Sequence, residues 1–306
     1  MESWTIQRLL NWTAGYFTEK GVDSPRLSAE LLLSSVLGLK RIELYTQFDK
    51  PAAKEQLNKL RELVKRAGEH EPIGYLTGKC EFYSLEFDVT ADCMIPRPET
   101  EMLVARAIEF LRARNERQHE MSLPGPSAVE VSNSFICDLC TGCGCVAVAI
   151  AGNFADCKII ATDICDAALK VASRNIERYG LDNRIRLLCG DLFEPIVPHL
   201  DVEKFDLIVC NPPYVSTVEY ETLAKNVKDY EPRIALIAGN DGLDILRRVI
   251  GSAPDFLKTG GALMLEIGQE QGLAIRKLIE QAGCFIEIKI EKDFANNERI
   301  ATAIKK

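Results

Sequence analysis

The residues best suited to chemistry stand four in a row, Asn211-Pro212-Pro213-Tyr214, directly after the apolar run Phe205-Asp206-Leu207-Ile208-Val209-Cys210. A residue before proline is driven out of the helical region, and proline holds its own φ at about −65°, so Asn211 and Pro212 are both expected to be extended. The Asn211 carboxamide oxygen and the Pro212 carbonyl can then face one way, two acceptors placed to receive both hydrogens of a single NH2 group. The Tyr214 ring can pack on the flat face of that group. On this chemistry the guest is any planar amide or amine nitrogen, and adenine fits as well as a glutamine side chain. A plain strand-ending turn also favours Asn and Pro.

A second group of residues lies upstream. In Asp138-Leu139-Cys140-Thr141-Gly142-Cys143-Gly144, the glycines Gly142 and Gly144 let the backbone turn tightly and approach a ligand at the carboxyl ends of strands. Asp163, 19 residues after Gly144, ends the next strand and suits the two hydroxyls of a ribose. Asp191, within Gly190-Asp191-Leu192-Phe193, follows the third strand; its carboxylate would accept from an adenine amino group, with Leu192 and Phe193 bordering the ring. Read as Gly142-x-Gly144-x-x-Ala147 the loop also passes as a dinucleotide fingerprint, a weak signal alone, and a single aspartate at a strand end is commonly a turn or cap residue. Acids at the ends of successive strands, with Asn211 after the fourth, outline a nucleoside pocket that opens beside the clamp.

These residues need a frame that brings strand ends together. Apolar runs predict strands over 135–140, 158–162, 185–188, 205–210, 261–267, 285–290 and 300–304, with helices over 146–154, 167–179 and after Asp241. That alternation makes an α/β fold, a mostly parallel sheet with helices on both faces. The short connection between the last two strands predicts an antiparallel edge pair. Upstream, Leu9, Leu10 and 12–17, then Leu31, Leu32, Leu33, Val36 and Leu37, then Leu57, Leu60, Leu63 and Val64 predict a small helical bundle. Phe82, Leu85, Phe87 and Val89 alternate as a hairpin. The prolines of Ile95-Pro96-Arg97-Pro98-Glu99-Thr100-Glu101 stop it, and Glu99 to Glu101 open a helix through Leu111. The polar stretch 112–134, with Pro124-Gly125-Pro126, predicts a mobile surface loop. The expected domains are 1–75, helical and substrate-docking; 76–95, a β-hairpin linker; and 96–306, catalytic.

Composition narrows the classes. The chain of 306 residues is 47% hydrophobic and carries a net charge of −8. Through Tyr75 there are 11 Lys and Arg against 10 Asp and Glu; beyond it there are 26 against 35, so the acidity lies in the α/β part. A general nucleic-acid binder needs a basic surface, and none dominates. No secretory leader or membrane-spanning run is visible, which predicts a cytoplasmic protein with reduced thiols rather than a disulfide framework for its 11 cysteines. Cys137, Cys140, Cys143 and Cys145 invite a metal reading, but the final Cys-x-Cys and the lack of a nearby histidine do not fit the usual cluster spacings, and no metal is expected. His70, His119 and His199 are scattered and receive no role.

With these motifs in hand, the chain resembles the class I S-adenosylmethionine-dependent methyltransferases, and specifically the release factor glutamine methyltransferase family, often called HemK or PrmC. The resemblance covers the N-terminal helical module, 95–101, 138–144, Asp163, 190–193, 211–214, Glu231-Pro232-Arg233 with Ala235-Leu236, Asp241-Gly242-Leu243 and Glu266-Ile267-Gly268. It implies a Rossmann-like methyltransferase sheet and methyl transfer to the glutamine amide of a Gly-Gly-Gln tripeptide in peptide-chain release factors. S-adenosylmethionine is the implied cofactor, leaving as S-adenosylhomocysteine; the implied protein is a monomer without membrane or direct nucleic-acid partners. Asn211, Pro212 and Tyr214 are the implied catalytic residues, with Pro213 also on the substrate. Cys140, Thr141, Gly142, Cys143, Gly144, Asp163, Asp191, Leu192 and Asn211 are the implied cofactor residues. The 96–101 segment resembles the family's loop near the cofactor, which Arg97 or Glu99 could contact; a helix start, with Glu99 and Glu101 facing its positive end, accounts for the same residues equally well. Two departures stand out: Cys140 and Cys143 replace what is commonly Gly and Ser or Thr, and Phe294-Ala295-Asn296-Asn297-Glu298-Arg299 replaces the usual Gly-x-Asp-Arg ending. The clamp alone leaves an adenine amino-methyltransferase as the alternative.

Overall fold

Apolar residues at helical spacing bury one face of each of the three longer early helices in the computed structural model, which describes residues 3–121, 133–199 and 204–306. The chain divides into two compact units, Met1–Lys79 with Leu223–Glu231, and Cys80–Thr222 with Pro232–Lys306. The first holds α1 (Ile6–Lys20), α2 (Pro25–Leu37), α3 (Arg41–Thr46), α4 (Lys54–Gly68) and α5 (Ile73–Thr77). Ile6, Leu10, Phe17, Leu32, Leu33, Leu44 and Val64 fill its core. Buried Glu30 is paired with Arg26 at 3.1 Å and Arg41 at 2.9 Å and accepts from the Tyr45 hydroxyl, so its charge is matched, as burial demands. Sequence order gives no reason to place 223–231 here, yet the Tyr230 hydroxyl donates to the Glu69 carbonyl at 3.0 Å within this unit.

The second unit opens with the hairpin β1 (Lys79–Phe82) and β2 (Leu85–Asp88), then α6 (Glu101–Met121). The helix was expected to end near Leu111. It runs ten residues further, and Arg114, within that extension, pairs with buried Asp206 at 2.7 Å, which gives those turns a tertiary anchor. Of the predicted 112–134 loop, 112–121 is therefore helix and 122–132 lies outside the described residues. Seven strands follow: β3 (Ser134–Leu139), β4 (Cys157–Asp163), β5 (Ile185–Cys189), β6 (Phe205–Cys210), β7 (Leu257–Glu266), β8 (Phe285–Lys292) and β9 (Glu298–Lys305), with α7 (Cys145–Asn153) and α8 (Asp166–Arg178) between the first three.

The sheet order is β5-β4-β3-β6-β7-β9-β8, parallel except for β9, which runs antiparallel to both of its neighbours. The predicted antiparallel edge pair is present. Sequence order does not disclose that β9 inserts between β7 and β8. Every residue of β6 is buried, as for a central parallel strand covered on both faces. Register then builds the site: Leu139 lies opposite both Thr162 and Cys210, and Cys210 opposite Leu265. The next residues along, Cys140, Asp163, Asn211 and Glu266, consequently lie level at the carboxyl edge of the sheet.

Candidate active site

A cavity of about 310 Å3 opens at that edge, lined by residues from every early β–α junction of the second unit. Of the expected site residues, Cys140, Thr141, Gly142, Cys143, Asp163, Asp191, Leu192, Asn211 and Pro213 stand on its wall; Gly144, Pro212 and Tyr214 do not. Gly144 has a different task. Its φ is +80°, and a Cβ there would lie 3.2 Å from the Ala172 Cβ, so glycine lets the start of α7 turn and pack closely on α8.

The glycine loop is held from outside. Asp163, which lines the cavity, accepts from the Gly142 amide at 2.8 Å and the Cys165 amide at 2.9 Å, one on each carboxylate oxygen, short of a carboxylate's full accepting capacity. Burial pushes its carboxyl above the ordinary value, against those backbone hydrogen bonds. Asp138, buried at the end of β3, accepts from the Thr141 hydroxyl at 2.6 Å. Desolvation raises its pKa to about 7, with the Thr141 hydrogen bond opposing. Cys140 sits at φ +58°, a left-handed conformation that glycine adopts without strain and other residues rarely do. Leu192 is likewise left-handed at φ +50°, and its carbonyl accepts from the Thr162 hydroxyl at 3.0 Å. Asp191 is already engaged, paired with Arg248 at 2.8 Å. Arg248 also lines the cavity, and nothing in the spacing of the sequence brings it there.

The clamp is supported by two buried residues that motif reading placed nearby without a role. The Asn211 Nδ2 donates to Thr100 Oγ1 at 3.1 Å, Thr100 Oγ1 donates to Glu266 Oε2 at 2.6 Å, and the Tyr214 hydroxyl donates to Glu266 Oε1 at 3.1 Å. Burial raises the Glu266 carboxyl, opposed by the hydroxyls of Thr100 and Tyr214. Burial and the adjacent Glu266 charge raise the Tyr214 phenol, keeping it a donor. Behind Tyr214, the Gln271 Nε2 donates to its carbonyl at 2.9 Å, and Gly242 passes so close that a Cβ would lie 2.3 Å from that same oxygen. Among the described residues no group of three or more His, Cys, Asp or Glu is placed to hold a metal ion, and all 11 cysteines are free thiols. No helix among the described residues is long and apolar enough to cross a membrane.

The fold and this cavity define a class I methyltransferase sheet, and solved structures with the same architecture agree. The chain aligns with human methyltransferase 10 domain containing protein at a TM-score of 0.51 and 16% identity, covering 73% of this chain and 89% of that one. It aligns with the hMettl16 catalytic domain in complex with a 3′UTR hairpin at a TM-score of 0.52 and 14% identity, covering 82% of each. The profile of the PrmC N-terminal domain matches residues 8–78, and one described as RNA cap guanine-N2 methyltransferase matches 133–237. The release factor glutamine methyltransferase of Rhodopirellula baltica is 41% identical over 297 residues, 97% of this chain and 95% of that protein. That of Geobacter sulfurreducens is 41% identical over 287 residues, 93% and 92% of the two chains. The chain belongs to the release factor glutamine methyltransferase family.

Proposed function

We propose that this protein transfers the methyl group of S-adenosylmethionine to the side-chain amide nitrogen of the glutamine in the Gly-Gly-Gln motif of peptide-chain release factors, acting as a cytoplasmic monomer without a metal. The observation that carries this reading is the Asn211-to-Tyr214 segment at the carboxyl end of β6, beside a cavity with the polar groups a nucleoside needs, in a chain of this family. The cavity residues fit the cofactor: Asp163 keeps lone pairs for ribose hydroxyls, Leu192 offers an apolar shelf, Asp191 with Arg248 forms a polar rim, and Asp138 a buried acid. When bound, S-adenosylmethionine supplies an electrophilic methyl group on a sulfonium.

An amide nitrogen is a poor nucleophile because its lone pair is delocalised into the carbonyl. The Asn211 Oδ1 and the Pro212 carbonyl accept its two hydrogens, favour the positive charge that develops on it, and aim it for in-line attack. Orientation of this kind supplies roughly 7 to 11 kcal/mol of barrier reduction. Tyr214, anchored through Glu266, holds the amide plane. As the new N–C bond forms, the methyl–sulfur bond would break with its electron pair left on the departing thioether, and the methylated amidium, strongly acidic, would release its proton to water, so no dedicated base is needed. Residues 1–75 act as the docking domain for the protein substrate. An adenine substrate is not favoured, since the acidic α/β part offers no general phosphate-binding surface.

The test is incubation with labelled S-adenosylmethionine and three acceptors: a release factor, the same factor with its Gly-Gly-Gln glutamine replaced, and DNA. Label is expected on the first alone; label on DNA, or on the replaced factor equally, would sink the assignment. Asn211→Ala is expected to lower turnover about 100- to 1,000-fold, as for loss of one preorganised polar partner, while S-adenosylhomocysteine binding falls less.

A further inference from the structure

We propose that Thr100 and Glu266 are positioning residues that determine which end of the Asn211 carboxamide meets the substrate. This rests on Asn211 acting as an acceptor for the glutamine amide, and it adds the device that makes it one. A carboxamide presents an oxygen at one end and an NH2 at the other, nearly identical in size, so shape alone does not choose between them. An Asn211 flipped by a half-turn would offer hydrogens to a guest that itself offers hydrogens, and the clamp would repel what it should hold.

The hydrogen-bond polarity of the buried chain removes that ambiguity. Glu266 and Thr100 are each 1% exposed, so neither exchanges its partners with solvent. Hydroxyls aimed at both oxygens of Glu266, with the Arg299 charge, favour its carboxylate form against burial, and a carboxylate only accepts. The Thr100 hydroxyl proton is therefore committed to Glu266 Oε2 at 2.6 Å, and the Tyr214 proton to Oε1 at 3.1 Å. With its proton spent, Thr100 Oγ1 presents lone pairs alone, and Asn211 Nδ2 donates to it at 3.1 Å. The NH2 end is tied inward and Oδ1 is left as the outward group. One carboxylate thus fixes the two side chains of the clamp, although the three segments are far apart in sequence. The sheet register supplies the coincidence, because Cys210 and Leu265 lie opposite each other and their next residues are Asn211 and Glu266. Thr100 enters from the turn Pro98–Thr100 before α6 and also lines the cavity.

The test uses the full chain with Thr100→Ser, Thr100→Val and the isosteric Glu266→Gln. Five quantities are measured: kcat and KM on a release factor, S-adenosylhomocysteine affinity by calorimetry, thermal midpoint, and exchange of the Asn211 side-chain amide hydrogens by nitrogen-15 NMR without ligand. Thr100→Ser keeps the hydroxyl and is expected to retain near wild-type kcat and slow amide exchange. Thr100→Val and Glu266→Gln are expected to lose about 10- to 100-fold in kcat, the cost of one mispaired buried polar group, with cofactor affinity little changed. In Thr100→Val the Asn211 amide hydrogens are expected to exchange fast. Wild-type kcat in Thr100→Val, or amide exchange equally fast in wild type and Thr100→Val, would overturn the proposal. Thr100-dependent amide protection in a wild-type protein that does not label the release factor would support the positioning assignment and overturn the substrate assignment instead.

Discussion

Asp138 is the residue whose chemistry is most unusual for its type, because burial lifts its carboxyl to about 7 at the back of a cavity read as the site of a cationic cofactor. A positive ligand close to such an acid favours its ionised form, so binding at neutral pH should expel a proton. Calorimetric titration with S-adenosylmethionine, without release factor, in buffers of different ionisation enthalpy is expected to show release of a fraction of a proton near pH 7, and none in Asp138→Asn. Equal enthalpies in all buffers for wild type would contradict the placement of the ligand's charge near Asp138. At this scale the wall of the site was largely legible in the sequence: Asp163, Asp191 and Asn211 announce themselves by standing at strand ends. Thr100, Glu266 and Arg248 do not, since each meets its partner only after the sheet order and the turn before α6 bring distant segments together. The roles of Thr100 and Glu266 rest on hydrogen-bond direction, which residue spacing does not contain.

Between elements, Asn175 on α8 joins parts that no motif connects. Its side-chain Nδ2 donates to the Asp88 carbonyl at 3.0 Å and the Cys143 carbonyl at 2.9 Å, and its Oδ1 accepts from the Asp88 amide at 2.7 Å. The hairpin end, the glycine loop and α8 are thereby fastened by one fully buried carboxamide. Asn175→Ala strands three backbone groups, and a loss of about 2–4 kcal/mol is expected from urea unfolding, the usual scale for several unpaired buried groups. Cofactor affinity should fall with it, because Cys143 belongs to the loop on the cavity wall; a variant within about 0.5 kcal/mol of wild type, the ordinary surface range, would show that Asn175 is no such fastener. The strands themselves were readable, because β-branched and apolar runs of this length between glycine-rich turns have few other uses. Their lateral order was not, since β9 chooses its neighbours by long-range pairing. The full length of α6 was hidden for a related reason: charged residues that read as loop are held by an ion pair to a strand some 90 residues later, Arg114 with Asp206.

Across the whole molecule, the buried carboxyls singled out in the two compact units should respond to acid in opposite ways, neither of the lowered Asp241 and Asp293 of the second unit being buried. In the first, burial would raise the Glu30 carboxyl, but hydrogen bonds from Tyr45, Arg41 and Arg26 hold it below the ordinary value. A carboxyl depressed by folding contributes stability above its unfolded pKa, and that contribution is lost as pH falls through the folded value. The network also reaches α1, since the Arg26 Nη1 donates to Asn11 Oδ1 at 3.0 Å, so protonating Glu30 loosens α1 together with α2 and α3. In the second unit, burial raises Asp138, Asp163 and Glu266. A carboxyl raised by folding imposes its penalty as pH climbs, for Asp138 from about 4, the ordinary carboxylate value, to about 7. Acid relieves these three groups. The chain carries its own reporter, because its two tryptophans, Trp4 and Trp12, both lie in the first unit. On acidification below pH of about 4, the ordinary carboxylate range, tryptophan emission is expected to change before the far-ultraviolet dichroism of the second unit is lost. Deuterium uptake should rise in α1 to α4 ahead of β3 to β9. Glu30→Gln should lower stability at neutral pH and remove the early tryptophan step, and coincident loss of both signals in wild type would rule out the opposed response.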